Sequence, residues 1–215
     1  MPTCLRPPAC PIIFSARAAS SRNKSEASGA QLGQAPDKDG PAISHLISFS
    51  GLPGVGKSTI ATALCRRLPA ILLRVDAVEA ALKRSMLRLD APEDAGYQAI
   101  AAIAAGNLAL GHSVVADTVN PVEASRRLWA ETARSSAATL VSVEVVCTDA
   151  DLHRSRVEAR TGDIAGLTLP TWQQVVERHY EPWSEPRLRL DSAALSTQEA
   201  VDAILRHISV LDTDG

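Results

Sequence analysis

Cysteine is scarce and scattered. Cys4, Cys10, Cys65 and Cys147 form no C-x-x-C pair and have no nearby histidine partners, which excludes a disulfide framework and a cysteine-rich zinc module. A reducing, cytoplasmic setting is the expectation that follows. No apolar run approaches the ~20 residues that cross a bilayer, so no membrane partner is expected. Charge of one sign is also lacking: the formal net charge is −2 and the pI about 6.2, which speaks against a dominant polyanion-binding surface, and nucleic acid is not expected as a partner. Aromatic residues make up only 3% of the chain, so the cluster Trp172, Tyr180 and Trp183, bracketed by Pro170 and Pro182, stands out. Packing at the base of a neighbouring segment is the first reading of that cluster, and an acceptor-pocket wall the second. His153 and His179 have no companions at ligand spacing and read as structural or surface residues.

What is present is more specific. Gly51-Leu52-Pro53-Gly54-Val55-Gly56-Lys57-Ser58 fits G-x-x-x-x-G-K-S, and it follows the apolar run Leu46 to Phe49, a buried strand. The glycines let the backbone turn tightly and aim successive N–H groups inward, with a helix N-terminus behind them, which suits a polyphosphate. The loop from Gly51 through Pro53, Gly54, Val55 and Gly56 to Lys57, Ser58 and Thr59 is therefore the expected ATP cradle. Lys57 reaches the β- and γ-phosphates, and the Ser58 hydroxyl holds Mg²⁺.

At 215 residues with 46% hydrophobic content, the chain suits one globular domain with a real core. Residues 1–43 are rich in Ala, Ser, Pro and Gly and read as a disordered tail or an over-extended start. A transit-type targeting segment is the alternative, because basic residues precede the first acidic one, Glu26. The domain proper is expected over 44–212. There, short β-rich runs at 46–49, 71–75, 113–116, 140–147 and 188–190 alternate with helical patterns at 57–68, 77–88, 93–110, 121–135, 150–160, 171–180 and 197–210. The near-continuous hydrophobicity of the strands demands burial on both faces. The fold class is α/β: a parallel five-stranded sheet sandwiched by helices. Asp76 is expected to cap the second helix, Asn120-Pro121 to open the fourth, and Thr197 with Glu199 to start the last.

In such sheets ligands sit beyond the carboxyl ends of the strands, where this chain places Asp76, Asp117 and Asp191. Asp76 suits general-base work or an outer contact to Mg²⁺, with a helix cap as the plain alternative; for Asp191 the cap or turn reading is preferred. Arg154, Arg156 and Arg160 lie on one expected helix, and Arg156 and Arg160, four apart, share a face from which both can close on the phosphates. Arg154 is positioned to pair with Glu158, and a solvated basic face is the alternative for the whole cluster.

Together, Gly51 to Thr59, Val75-Asp76, Val114 to Asp117 and the arginine series resemble the P-loop kinases of the small-molecule type: the zeta-toxin, chloramphenicol-phosphotransferase and gluconate-kinase-like group, close to AAA-like ATP-binding proteins. The likeness spans roughly 45 to 210. It implies a P-loop NTPase fold and an aspartate at Asp76 beside the acceptor hydroxyl. It also implies a Walker B or substrate-side role at Asp117, taken here as a second Mg²⁺ ligand, and an arginine-bearing lid at about 150–170. No N-K-x-D signal follows a late strand, and Asp117 is followed by Thr118 rather than glutamate, which favours transfer to an acceptor over guanine-nucleotide switching or motor work. The expectation is an ATP- and Mg²⁺-dependent kinase of a small hydroxylated acceptor. Lys57, Asp76 and Arg156 or Arg160 are its catalytic groups. A nucleotide-dependent regulatory ATPase acting on a protein partner is the main alternative, and a kinase of nucleic-acid ends or of a sugar nucleotide the second. The acceptor pocket falls to 77–110 and 161–186, which sequence lists but does not orient.

Overall fold

The computed structural model describes residues 43–86 and 94–213. The tail expected over 1–43 therefore lies, but for Ile43, outside the described residues. In chain order the elements are β1 (His45–Ser50), α1 (Lys57–Cys65), β2 (Ala70–Arg74), α2 (Val75–Arg84), α3 (Ala95–Ala109), β3 (Ser113–Asp117), α4 (Glu123–Ser135), β4 (Thr139–Val146), α5 (Ala150–Ala159), α6 (Trp172–Val176), β5 (Leu188–Asp191) and α7 (Thr197–Thr213). The five strands form one parallel sheet in the order β2-β3-β1-β4-β5. From the central β1 the chain crosses to β2 at the edge, returns to β3 beside β1, and then passes to β4 and β5 on the other side. The loop leaving β1 thus sits at the topological switch point, where open α/β sheets bind ligands.

Each face of the sheet has its own core. Ile47, Phe49, Val115, Val141, Val143 and Val145 point to one face, where Ile60 and Leu64 of α1 and Val201, Ile204 and Ile208 of α7 cover them. Leu46, Val114 and Ala116 point to the other face and meet Ile100, Ala104 and Leu108 of α3 and Trp129 of α4. Period-two alternation along β1 therefore feeds both layers, as burial on both sides requires. Ser48 and Ser50 also lie buried on β1. Both are satisfied by Asn120, whose Nδ2 donates to Ser48 Oγ at 2.9 Å, Phe49 O at 3.0 Å and Ser50 Oγ at 3.2 Å. Asn120 Oδ1 accepts from Trp129 Nε1 at 2.9 Å.

Several expected boundaries move, for physical reasons. Asn120 is fully buried with φ 47, so it opens no helix; α4 starts at Glu123 after an extended Val122. β2 passes directly into α2, so Asp76 lies inside the first helical turn rather than before it, and Arg74 is the flanking residue. The helix expected over 171–180 is only five residues long, opened by a capping box between Thr171 and Gln174. Its extension is lost because the chain is drawn to α4: Glu181 N–H donates to Pro121 O, and the Glu181 carboxylate accepts from Glu123 N–H. Ser196, not Thr197, caps α7, exchanging bonds with Glu199.

Candidate functional site

The phosphate loop is held from three sides. Gly51 donates its N–H to Val119 O at 3.0 Å, and a Cβ on it would meet Val145 O at 2.2 Å, so the backbone passes where no side chain fits. Val157 of α5 packs on Gly54, and the buried His153 ring donates through Nε2 to Pro53 O at 2.8 Å while standing edge-on to Trp172. His153 and Trp172 are therefore packing residues that lock the loop to the helix above it. The first intrahelical bond of α1 runs from Ile60 N–H to Gly56 O, which leaves the amides of Lys57, Ser58 and Thr59 facing outward for an anion. Lys57 is buried, and its Nζ donates to Leu52 O at 3.0 Å. Burial lowers its pKa to about 8 against the nearby negative charges of Asp117 and Asp76, and the positive charges of Arg160 and Arg178 add to the lowering.

One continuous cavity of about 1080 Å³ adjoins the loop. Lys57, Ser58, Thr59, Asp76, Asp117, Arg156 and Arg160 all line it, with Pro53, Gly54 and Gly56. Gly51 and Val55 are buried beneath it and shape the loop rather than the lining. Asp117 ends β3, is 6% exposed, and lies 3.4 Å from the Nε of Arg74, its register partner on β2. Among the described residues that nitrogen is buried without a hydrogen bond. A hydroxyl and one carboxylate beside a polyphosphate cradle suit Mg²⁺, which takes few protein ligands and fills its shell with phosphate oxygens and water. Among the described residues no cluster of three or more acidic, histidine or cysteine ligands competes for a metal. Asp191 accepts from the N–H groups of Thr148 and Ala193 and from the Thr148 hydroxyl, the turn-forming role preferred for it.

The arginine segment divides. α5 ends at Ala159 and Arg160 is already extended, with φ −66 and ψ 125, so Arg156 and Arg160 do not share a helix face. Arg156 donates to Ser192 Oγ at 2.8 Å and Ser192 O at 3.1 Å, which ties it to the turn after β5. Arg160 has no hydrogen-bond or ion-pair partner among the described residues, and its charge is felt at Lys57. Arg154 pairs with Glu158 at 2.8 Å, as its spacing indicates. Beyond Arg160 the chain folds back over α2: Asp163 accepts from Arg74 Nη1 at 2.5 Å, and Ala165 O accepts from Arg84.

Sequence reasoning missed Arg74, Glu79, Tyr97, Asp163 and Arg178, which also line the cavity. Glu79 lies three residues after Asp76 on α2, a spacing that was available as a signal. Tyr97 meets the site only because its hydroxyl accepts from Asn120 N–H at 3.1 Å across the fold, which no local pattern reveals. Tyr180 and Trp183 are outside the lining. Arg126 stacks on both rings while donating to Glu181 O and to Pro182 O, so these aromatics pack the base of the segment. His179 is exposed and 3.5 Å from Glu181.

A parallel sheet with this glycine loop at its switch point is the P-loop NTPase fold. Residues 46–182 match the family described as an AAA domain, and the chain belongs to that family. An adenylyl-sulfate kinase of Deinococcus deserti is 28% identical over 172 residues, covering 77% of this chain and 92% of that protein. Among solved structures, the APS kinase of Mycobacterium tuberculosis in complex with AMPPNP and APS matches at TM-score 0.57 and 20% identity, over 79% of this chain and 99% of that one. A gluconokinase of Sinorhizobium meliloti matches at TM-score 0.55 and 20% identity, over 81% and 98%. The likeness to the small-molecule kinase group read from the sequence thus extends to the fold.

Proposed function

We propose that this chain is a kinase that moves the γ-phosphoryl group of ATP to a hydroxyl of a small acceptor. One observation carries the reading: a single cavity gathers the phosphate loop, Asp76 of the first turn of α2, Asp117 at the end of β3, and Arg160, which is unpaired among the described residues. The kinase names of the relatives agree with it and differ among themselves in acceptor. The loop amides and Lys57 hold the β- and γ-phosphates. Ser58 and Asp117 would hold Mg²⁺, which supplies charge neutralisation at the phosphates. Asp76 takes the proton as the acceptor oxygen bonds to the γ-phosphorus, the bond to the β-bridging oxygen breaks, and ADP leaves with that electron pair. Arg160 is the better candidate for steadying the transferring group, because Arg156 is engaged at Ser192. Arg156 then positions the turn that borders the nucleotide.

ADP release by purified protein with Mg²⁺, measured against a panel of hydroxylated metabolites with Lys57→Ala as background, tests this. Acceptor-stimulated release that Lys57→Ala abolishes is the expected result. A slow Lys57-dependent rate that no acceptor changes would replace the kinase with the regulatory ATPase.

A further inference from the structure

Several charged side chains around the cavity are engaged: Arg74 with Asp163 and Asp117, and Arg156 with Ser192. Once the phosphates claim Lys57 and Arg160, and the acceptor hydroxyl claims Asp76, three charges remain unclaimed: Glu79, Arg178, and Lys83, which lies four residues along α2 from Glu79. Glu79 lies one turn beyond Asp76 on α2 and is half-buried. Its side chain rests against the α3 backbone at Gly96, where a Cβ would come within 2.6 Å of Glu79 Cγ. Arg178 follows α6 and is held by its backbone, N–H to Val175 O at 3.3 Å, while its guanidinium stays exposed at the cavity wall.

Neither side chain has a hydrogen bond or an ion pair among the described residues, and Glu79 does not pair even with Lys83, four residues along the same helix. Yet the two charges feel each other. Burial and Asp76 push the Glu79 carboxyl up, and Lys83, followed by Arg178, opposes that rise. Tyr97 lies within range of both.

We infer that Glu79 and Arg178 form a charge-pair subsite for a zwitterionic acceptor: a small molecule carrying an amino group and a carboxylate or phosphate besides the hydroxyl that is phosphorylated. This rests on the kinase reading above. Unlike charges that line one cavity without a contact between them are matched by a ligand that brings the complementary pair. The carboxylate accepts from an ammonium, and the guanidinium fork donates to two oxygens of an anion. A neutral polyol can donate a hydroxyl to Glu79 but brings no countercharge to either pole, so the pair favours the matched acceptors over it. The Gly96 backbone makes room for the Glu79 side chain, which fixes one pole of the subsite on the helix that carries Asp76.

The test compares serine, homoserine and glucosamine 6-phosphate with acceptors that carry no ammonium, called amine-free below (glycerate, gluconate, adenylyl sulfate), and anion-free ones (ethanolamine, glycerol). Turnover and calorimetric binding to the AMPPNP-loaded, full-length protein are both read. Each missing charge is expected to lower kcat/KM or affinity by about 10- to 100-fold. Glu79→Gln should bring the preference for zwitterionic over amine-free acceptors towards one. Arg178→Gln should do the same for zwitterionic over anion-free acceptors, with Arg178→Lys restoring part of it. Arg178 is exposed, so its variants remain informative if Glu79→Gln folds poorly. The better of the carboxylate and phosphate zwitterions identifies the anion. If gluconate, adenylyl sulfate or glycerol turns over as well as the zwitterions, or both preferences survive the substitutions, the subsite is wrong while the kinase stands. Should zwitterions bind in a Glu79- and Arg178-dependent way with no phosphoryl moved, the subsite stands and the kinase reading falls. No binding by any zwitterion overturns the subsite outright.

Discussion

Nine consecutive residues, Gly51 to Thr59, make the phosphate cradle, whereas the rest of the cavity takes Arg74 from the end of β2, Glu79 from α2, Tyr97 from α3, Asp163 from the segment after α5 and Arg178 from the turn after α6. The first region is a backbone device. Its chemistry lies in amides whose direction is set by local turns, so spacing alone specifies it. The second is a side-chain device assembled by tertiary contacts: Arg74 with Asp163, Arg84 with Ala165 O, Tyr97 with Asn120. A backbone cradle suits any nucleoside triphosphate, so in the proposed reaction specificity for the acceptor falls to the side-chain wall.

Breaking the cradle should have the largest effect. Lys57→Ala is expected to lower nucleotide affinity and turnover together, the rate by about a thousandfold or more, as loss of a preorganised phosphate donor does. Equilibrium binding beside single-turnover rates checks it. On the wall, Asp76→Asn should separate the regions: binding of AMPPNP persists while transfer falls by about 100- to 10,000-fold. Asn120→Ala reaches the joint between them. It removes three buried bonds to β1 and leaves the indole N–H of Trp129 without an acceptor, at an expected cost of about 3 kcal/mol in chemical denaturation. Asn120→Asp, which keeps only the acceptor, should recover part of that loss at most.

The smallest effect is a titration. Burial lowers the Lys57 pKa to about 8 from 10.5, so between those values the unfolded chain binds more protons than the folded one, and folding stability should rise with pH across that window. Below pH 8 the buried ammonium contributes its full penalty. A bound polyphosphate favours the charged form. Nucleotide binding near pH 8.5 should therefore take up a fraction of a proton, read by calorimetry in two buffers of different ionisation enthalpy. Zero uptake would separate Lys57 from the phosphates.

How much of this was legible follows the same division. All five strands, the parallel sheet and the loop were readable, because apolar runs and turn glycines are local signals. The Asn120 boundary was misread because a buried asparagine with positive φ resembles a cap in sequence, and its partners on β1 lie some seventy residues away. The Arg156 and Arg160 pairing failed at a helix end: α5 stops at Ala159, one residue short of the expected end, which leaves Arg160 extended. Glu79 shares its helix with Asp76, but an exposed i,i+3 carboxylate looks the same in sequence as one resting on Gly96.

The central claim is that the cradle and the wall act as one phosphotransfer site, with Asp76 joining them. Transfer of labelled γ-phosphate to acceptor, measured in single turnover for the wild-type chain and Asp76→Asn alongside AMPPNP affinity for each, tests it most directly. The account predicts equal affinities and a labelled product formed at least about a hundredfold more slowly by the variant. Equal rates of labelled product, or loss of AMPPNP binding with Asp76→Asn, would contradict it.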